Sequence, residues 1–239
     1  MIVKATLYEQ AYKKIKEGIL KGTFKRDRLY CEQWFADYLN ISRTPVRDAC
    51  LRLKRDQYID IIPNRGIVIK EICSQQVIEI SQLRSSIDSF CAAYLAERID
   101  TPEARKQYEK IKTINDQEQR MLLELGNISD HSIDVEFIQL DLEFHKEIIG
   151  FTGNRRFMEI NNEIYSYINL LGVEVVKIDT RKQESVDENE AILAAIASGD
   201  PIAAFKAACY HVEAIAKRLL KMMERQEKPE AQQDLNRVG

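Results

Sequence analysis

The chain has 239 residues, 45% of them hydrophobic, with 35 Lys+Arg against 38 Asp+Glu for a formal net charge of −3. This is enough material for one large or two modest domains with real cores, and it excludes a disordered, collagen-like or small disulfide-stapled chain. No run approaches the roughly 18 consecutive apolar residues of a membrane span, and the N-terminus is charged and helical in pattern rather than a signal peptide, so a cytoplasmic protein with no membrane partner is expected.

The near-neutral total hides an imbalance. Cut after Ile72, residues 1–72 hold 15 Lys+Arg and 9 Asp+Glu, a balance of +6, and the remainder holds 20 and 29, a balance of −9. A basic small domain attracts a polyanion, and an acidic remainder limits where it does so. Cys31, Cys50, Cys73, Cys91 and Cys209 are odd in number and scattered without a CxxC pair, which predicts reduced thiols rather than disulfides or a thiolate zinc site.

In chain order, Leu7, Ala11, Ile15 and Ile19 recur at four-residue steps and Gly22 follows as a stop signal, predicting a helix that ends near Lys21. After the charged turn KRDR, residues 32–39 read as a second helix. The turn Asn40-Ile41-Ser42 leads to a third over 43–53, with Ser42 as its cap, Pro45 in its first turn and Val46, Ala49, Cys50 and Leu53 as its buried stripe. Residues 58–62 and 66–70 are β-branched runs joined by Pro63-Asn64-Arg65, a hairpin with an arginine at its tip. Three helices and a hairpin make a winged helix-turn-helix over residues 1–72.

Beyond Ile72 every segment has helical periodicity. Ile80 to Tyr94 marks one helix. The next starts at Thr101-Pro102-Glu103 and runs to Leu125 before Gly126, and others cover roughly 135–151, 156–173 and 186–197. Gly199-Asp200-Pro201 stops one helix and starts the last, which reaches about Met223. The fold class is therefore mostly α: the winged helix-turn-helix followed by an all-helical bundle over 73–225, with residues 226–239 expected as a disordered tail.

A helix fits the major groove of B-DNA, and side chains near its N-terminus reach base edges. Arg43, Thr44 and Arg47 occupy that end of the third helix, and Arg65, between Asn64 and Gly66, suits a minor groove or its phosphates. Taken singly, each arginine also suits an ordinary solvated surface; helix order, tip arginine and basic balance together point to DNA.

The segment NISRTPVRDACLRLKRDQYIDIIPNRGIVI resembles the winged helix of GntR-family bacterial transcription regulators, whose pattern is close to SRTPVREAL followed by a PNRG wing tip. The resemblance spans roughly residues 5 to 71. It implies that Arg43, Thr44 and Arg47 read an operator while Asn64, Arg65 and Gly66 contact the DNA beside it. Some relatives carry a further DNA-contacting arginine where this chain has Gln33.

In the helical half, Asp141 and His145 stand four apart on a strongly patterned helix, so both project from nearly one face and can share a metal ion or simply a hydrogen bond. His211 lies on the last helix and His131 in the polar turn segment ISDHSID; spacing alone does not bring either to Asp141. Residues 76–223 resemble the C-terminal ligand domain of the FadR subgroup, an FCD-type bundle in which one Asp and three His often hold a divalent metal below an effector pocket. LDLEFHKEIIGFTGN then implies Asp141 and His145 as ligands, and ACYHVEAI implies His211. ENEAILAAIASGD stands where relatives read EHRAILDAIRAGD, so Asn189 replaces an expected histidine. An amide oxygen is a poorer ligand for zinc or nickel than imidazole and leaves harder ions such as manganese relatively favoured. Arg84 matches a cavity-facing position in relatives, where a guanidinium would grip an effector carboxylate.

The implied function is a ligand-responsive regulator that binds a pseudo-palindromic operator as a homodimer and is modulated by a small organic acid. A metal-dependent enzyme built on Asp141, His145 and His211 is the alternative, but the sequence supplies no nucleophile–base pair or glycine-rich phosphate loop. A third reading, an architectural DNA binder without effector, gives the large bundle no role.

Overall fold

Ala11, Ile15 and Ile19 are buried along one side of α1 (Leu7–Leu20), as their spacing predicts. The computed structural model describes residues 6–20, 23–25, 28–70, 73–125, 131–176 and 181–227. In α2 (Glu32–Leu39) the first turn is closed by the Trp34 N–H donating to Cys31 Sγ at 3.4 Å. Asn40 ends α2 in the left-handed region with φ 52°, a conformation asparagine tolerates better than most side chains. The Ile41 N–H turns back to the Ala36 carbonyl at 3.1 Å, and this tight turn delivers α3 (Arg43–Arg55). Val46, Ala49, Cys50 and Leu53 are all fully buried, each large apolar side chain contributing about 1.5–3 kcal/mol. Ser42 holds the N-cap position of α3, but its side chain makes no capping hydrogen bond.

β1 (Ile59–Ile62) and β2 (Gly66–Ile69) form an antiparallel hairpin with Ile59 opposite Ile69 and Ile62 opposite Gly66. A third contributor is not legible in the sequence: Tyr30 exchanges both backbone hydrogen bonds with Ile67, each 2.8 Å. A single bridging residue carries no periodic signal. The bridge explains Gly66, which has φ 140° and lies so close to the new edge that a Cβ would fall 2.5 Å from the Tyr30 carbonyl oxygen.

The bundle consists of α4 (Ser74–Ala96), α5 (Pro102–Leu125), α6 (His131–Phe151), α7 (Arg155–Val176), α8 (Arg181–Ala197) and α9 (Pro201–Glu227). The expected caps are present: Asp200 Oδ1 accepts from the Ile202 and Ala203 N–H groups at 2.9 and 3.1 Å, and Thr101 Oγ1 accepts from the Ala104 N–H at 3.2 Å. Helix starts are where the reading fell short, because polar first turns mask the apolar period. α4 begins at Ser74, with the Cys73 N–H donating to Gln76 Oε1 at 3.0 Å. α8 begins at Arg181, and α6 at His131, which therefore stands in a helical turn and not in a connecting segment. α9 runs on to Glu227, into the expected tail; the rest of that tail, the Gly22 and Gly126 stops and the boundary at Ile72 lie outside the described residues.

α4 and α9 pack along one another in opposite directions, with Ser74 beside Met223 and Ser85 Oγ 3.3 Å from Cys209 Sγ. Ile87, Leu95, Ile111, Phe144, Ile148, Ile192 and Ile196 form the main bundle core. The core of the winged helix does not stop at the domain boundary. Its cluster of Ile15, Phe35, Leu53 and Ile59 continues into Val77 and Leu219, with Tyr167, Ile215 and Met222 packed against it, and Tyr167 Oη donates to Gln57 Oε1 at 3.5 Å.

Candidate nucleic-acid interface and buried polar centre

The first turn of α3 and the wing tip flank one open concavity lined by Glu32, Arg43, Thr44, Arg47, Asp48, Leu51 and Asn64. Arg43, Thr44, Arg47, Asn64 and Arg65 are all exposed, and Gly66 is half-buried beneath them. Asn64, with φ 59°, turns the chain at the tip and leaves Arg65 projecting. Among the described residues Arg47 and Arg65 have no ion-pair partner, whereas Arg43 Nε binds Glu32 Oε2 at 2.8 Å. The free protein thus holds an internal carboxylate against one of its three cations. Arg52, further along α3, lies 4.1 Å over the Tyr12 ring and pairs with Asp56 at 3.5 Å, so it braces the fold and does not face the concavity. Gln33 is exposed and donates to Asp37 Oδ1.

Within the bundle, five helices converge on a buried polar centre. α6 contributes Asp141 and His145, α9 His211, α8 Ser185, Glu188 and Asn189, α4 Arg84 and Asp88, and α5 Glu118. The Nε2 atoms of His145 and His211 lie 3.0 Å apart, and Asp141 Oδ1 lies 3.9 and 4.0 Å from them. Each ring is oriented from behind: His145 Nδ1 faces Asp88 Oδ2 at 3.3 Å, and His211 Nδ1 faces Glu188 Oε2 at 2.9 Å. Arg181 grips Glu188 with two bonds of 3.0 and 2.8 Å. The 3.0 Å between the two Nε2 atoms suits an N–H···N hydrogen bond between the rings or, with both protons on the Nδ1 atoms that face carboxylates, a shared cation.

Charge and burial act together here. Burial works to raise the Asp141 pKa, but His145, His211, Arg84 and the Asn189 amide outweigh it and hold the carboxyl well below the usual range. Burial, reinforced by the Arg84 charge, pushes the His145 imidazole well below its ordinary value. Burial and the Asp141 charge push Glu118 well above the carboxylate range. Arg84 is itself buried, yet the Asp88 and Asp141 carboxylates keep it charged; its Nε donates to Asp88 Oδ2 at 3.1 Å.

The donor atoms of Asp141, His145 and His211 lie within 4.8 Å of one another, a span one ion can bridge with bonds of about 2.0–2.2 Å. Asn189 Nδ2 donates to Asp141 Oδ1 at 3.1 Å and Glu118 Oε2 at 3.3 Å, while its Oδ1 is buried with no hydrogen-bond partner. An orphaned amide oxygen beside two imidazole nitrogens and a carboxylate fits a divalent cation. The sequence reading named Asp141, His145, His211, Asn189 and Arg84, and all five meet at this centre. It missed Asp88, Glu118, Ser185 and Glu188. The Arg84-x3-Asp88 spacing on an apolar stripe was a usable signal for Asp88; Glu118, within NDQEQR, offered none.

Residues 79–214 match the family model of the FCD domain, and residues 7–69 match that of bacterial regulatory proteins, gntR family. The chain is 26% identical over 229 residues to the Exu regulon transcriptional regulator of Escherichia coli (strain K12), covering 87% of this chain and 82% of that protein. It is 23% identical over 188 residues to the uncharacterized HTH-type transcriptional regulator YdhC of Bacillus subtilis (strain 168), covering 77% and 78%. Among solved structures it resembles E. coli McbR/YncC, with a TM-score of 0.65 and 17% identity over 94% of this chain and all of that one. It also resembles Lar, which controls expression of the Listeria monocytogenes agr system, with a TM-score of 0.62 and 16% identity over 93% of this chain and 99% of that one.

Proposed function

Because the chain belongs to the GntR family of bacterial regulatory proteins and carries an FCD domain, we propose how the work of a DNA-binding transcription regulator is divided along it. Residues 1–72 read a pseudo-palindromic operator in double-stranded DNA; residues 73–225 bind a small organic acid and join two copies into a homodimer in the cytoplasm. The observation that carries this reading is the shared concavity of α3 and the wing, where Arg43, Thr44 and Arg47 meet Asn64. Arg43 and Arg47 read base edges, Thr44 and the wing residues Asn64, Arg65 and Gly66 hold phosphate or the adjoining groove, and two-fold symmetry places a second set on the related half-site. No helix among the described residues is long and apolar enough to cross a membrane.

In the bundle, Arg84 takes the effector carboxylate and Asn189 lies beside it. Asp141, His145 and His211 hold a divalent ion, zinc, nickel or manganese, which when bound supplies a fixed positive charge at the base of the effector site. Asp88 and Glu188 orient the two imidazoles, and Asn189 offers an oxygen where a third imidazole would favour softer ions. Effector and operator then influence each other reciprocally, by about 1–3 kcal/mol of coupling. The relatives are transcription regulators, and the metal-dependent enzyme reading finds no support among them.

The test starts from a DNA fragment selected by the wild-type protein. Arg65→Ala should lower the slope of log affinity against log salt by about 1. Elemental analysis of the purified chain should find a divalent ion that His211→Ala loses; full metal content in that variant would overturn the ligand assignment, and unchanged retention by an Arg43→Ala, Arg47→Ala double variant would overturn the reading head.

A further inference from the structure

Glu118 of α5 is 0% exposed, and among the described residues no lysine or arginine pairs with it. A carboxyl group taken out of water without a cation is expensive to keep. What it holds is an amide: Glu118 Oε2 accepts from Asn189 Nδ2 at 3.3 Å, while its Oε1 is buried with no hydrogen-bond partner. Asn189 is equally buried. Its Nδ2 has two hydrogens, and the two acceptors on that side belong to acids, Glu118 and Asp141, the latter at 3.1 Å. That pairing fixes which end of the amide is nitrogen and leaves Oδ1 as the end without a partner.

We infer that Glu118 is a positioning residue for the ion site: it holds the Asn189 amide by its nitrogen, so that Asn189 Oδ1 is presented as the fourth protein ligand beside Asp141, His145 and His211. The inference rests on the reading of those three residues as a divalent-ion site and adds the residue that makes an asparagine serviceable in it. Asp141 cannot do this alone. Its Oδ1 lies 3.9 and 4.0 Å from the two imidazole Nε2 atoms and already accepts from Ser185 Oγ at 3.2 Å. An ion bound there competes with Asn189 for the same oxygen, and Glu118 Oε2 is the acceptor that the amide keeps. Three of the four ligands then follow one plan. Asp88 from α4 stands behind His145, Glu188 from α8 behind His211 and Glu118 from α5 behind Asn189, and supporting carboxylates of this kind set ligand orientation. An oriented amide oxygen adds a hard donor, which raises affinity for manganese more than for zinc.

Manganese and zinc affinities of the full-length protein, measured by competition with a chelating indicator, test this. Glu118→Leu should lower manganese affinity about tenfold or more and zinc affinity by less than about threefold, whereas a purely structural role would weaken both alike. Glu118→Gln, which keeps an acceptor oxygen for the amide, should stay within about threefold of wild type for both ions. Asn189→Ala should reproduce the Glu118→Leu loss, and adding Glu118→Leu to it should cost nothing more. Glu118→Met makes the same test if leucine prevents folding, as judged by thermal unfolding of the metal-free chain. Four results would overturn the inference and leave the ion site standing: equal losses of manganese and zinc, unchanged manganese affinity in folded Glu118→Leu or Glu118→Met, a Glu118→Gln loss as large as that of Glu118→Leu, or additive losses in the double variant. A wild-type protein that binds neither ion would overturn both.

Discussion

The winged head and the helical bundle place their polarity in opposite ways. In the head, Arg43, Arg47 and Arg65 stand in solvent over a core of Ile15, Phe35, Val46 and Leu53 that contains no charge. In the bundle, Arg84, Asp88, Glu118, Asp141, His145, Asn189 and His211 are all buried, and the surrounding apolar side chains insulate them. Of these three cations, Arg47 and Arg65 have no ion-pair partner among the described residues and Arg43 holds only Glu32 at the surface, so they contribute little to folding and are available for binding. The bundle's polar groups find their partners in one another, so the same network that prepares a site also holds the helices together, and its members cannot be removed singly without cost.

Asp88→Ala breaks that contrast most severely. It strips Arg84 of its ion-pair partner and His145 Nδ1 of its acceptor, and urea unfolding should show a loss of about 3–5 kcal/mol. The reverse case is the double change Arg43→Ala with Arg47→Ala, which removes the two groups proposed to read base edges, at about 1–3 kcal/mol each. Gel retardation of the selected operator should weaken by two orders of magnitude or more, with unfolding stability moving by no more than about 0.5 kcal/mol. Gly66→Ala should cost about 1–3 kcal/mol of backbone strain, since its φ of 140° and the Tyr30 carbonyl leave no room for a Cβ; the loss should appear in both thermal unfolding and DNA affinity.

Acid sharpens the difference without mutation. The His145 pKa is depressed in the folded state, so its contribution is present above its ordinary value of 6.5 and lost as pH falls below it. Glu118 acts with the opposite sign: its contribution is complete below its ordinary value of 4.5 and is lost as pH rises through the elevated folded value. In chelator-treated protein, His145→Gln should therefore remove a component of the urea midpoint that falls as pH drops below about 6.5, and Glu118→Gln one that falls as pH rises above about 4.5. The smallest effect belongs to the head: Glu32→Gln frees Arg43 from an exposed pair worth at most about 1 kcal/mol, and operator affinity should rise severalfold at low salt.

The contrast also explains which parts could be read from residues alone. The stripe of Val46, Ala49, Cys50 and Leu53, the β-branched runs of the wing and the Gly199-Asp200-Pro201 punctuation are local signals, and each produced the element it predicts. Asp141 and His145 share a helix face by spacing, which periodicity can show. That His211 lies 3.0 Å from His145 depends on how α9 packs against α6, and no local period encodes that angle; the proximity was anticipated only through resemblance. Glu118 belongs to the same class, since a carboxylate in a polar stretch reads as solvated until four other helices close over it. The Tyr30 bridge was invisible for the converse reason, being one residue long.

The apolar cluster that runs from Ile15 and Leu53 into Val77 and Leu219 bears on how such a molecule can be rebuilt. The reading head has no floor of its own: part of its foundation is supplied by the first and last helices of the bundle. A chimera that grafts this head onto another regulator's sensor would inherit mismatched side chains at Val77, Tyr167 and Leu219, and matching those three contacts to the incoming sensor is the minimum alteration that such a hybrid needs before it can transmit a signal.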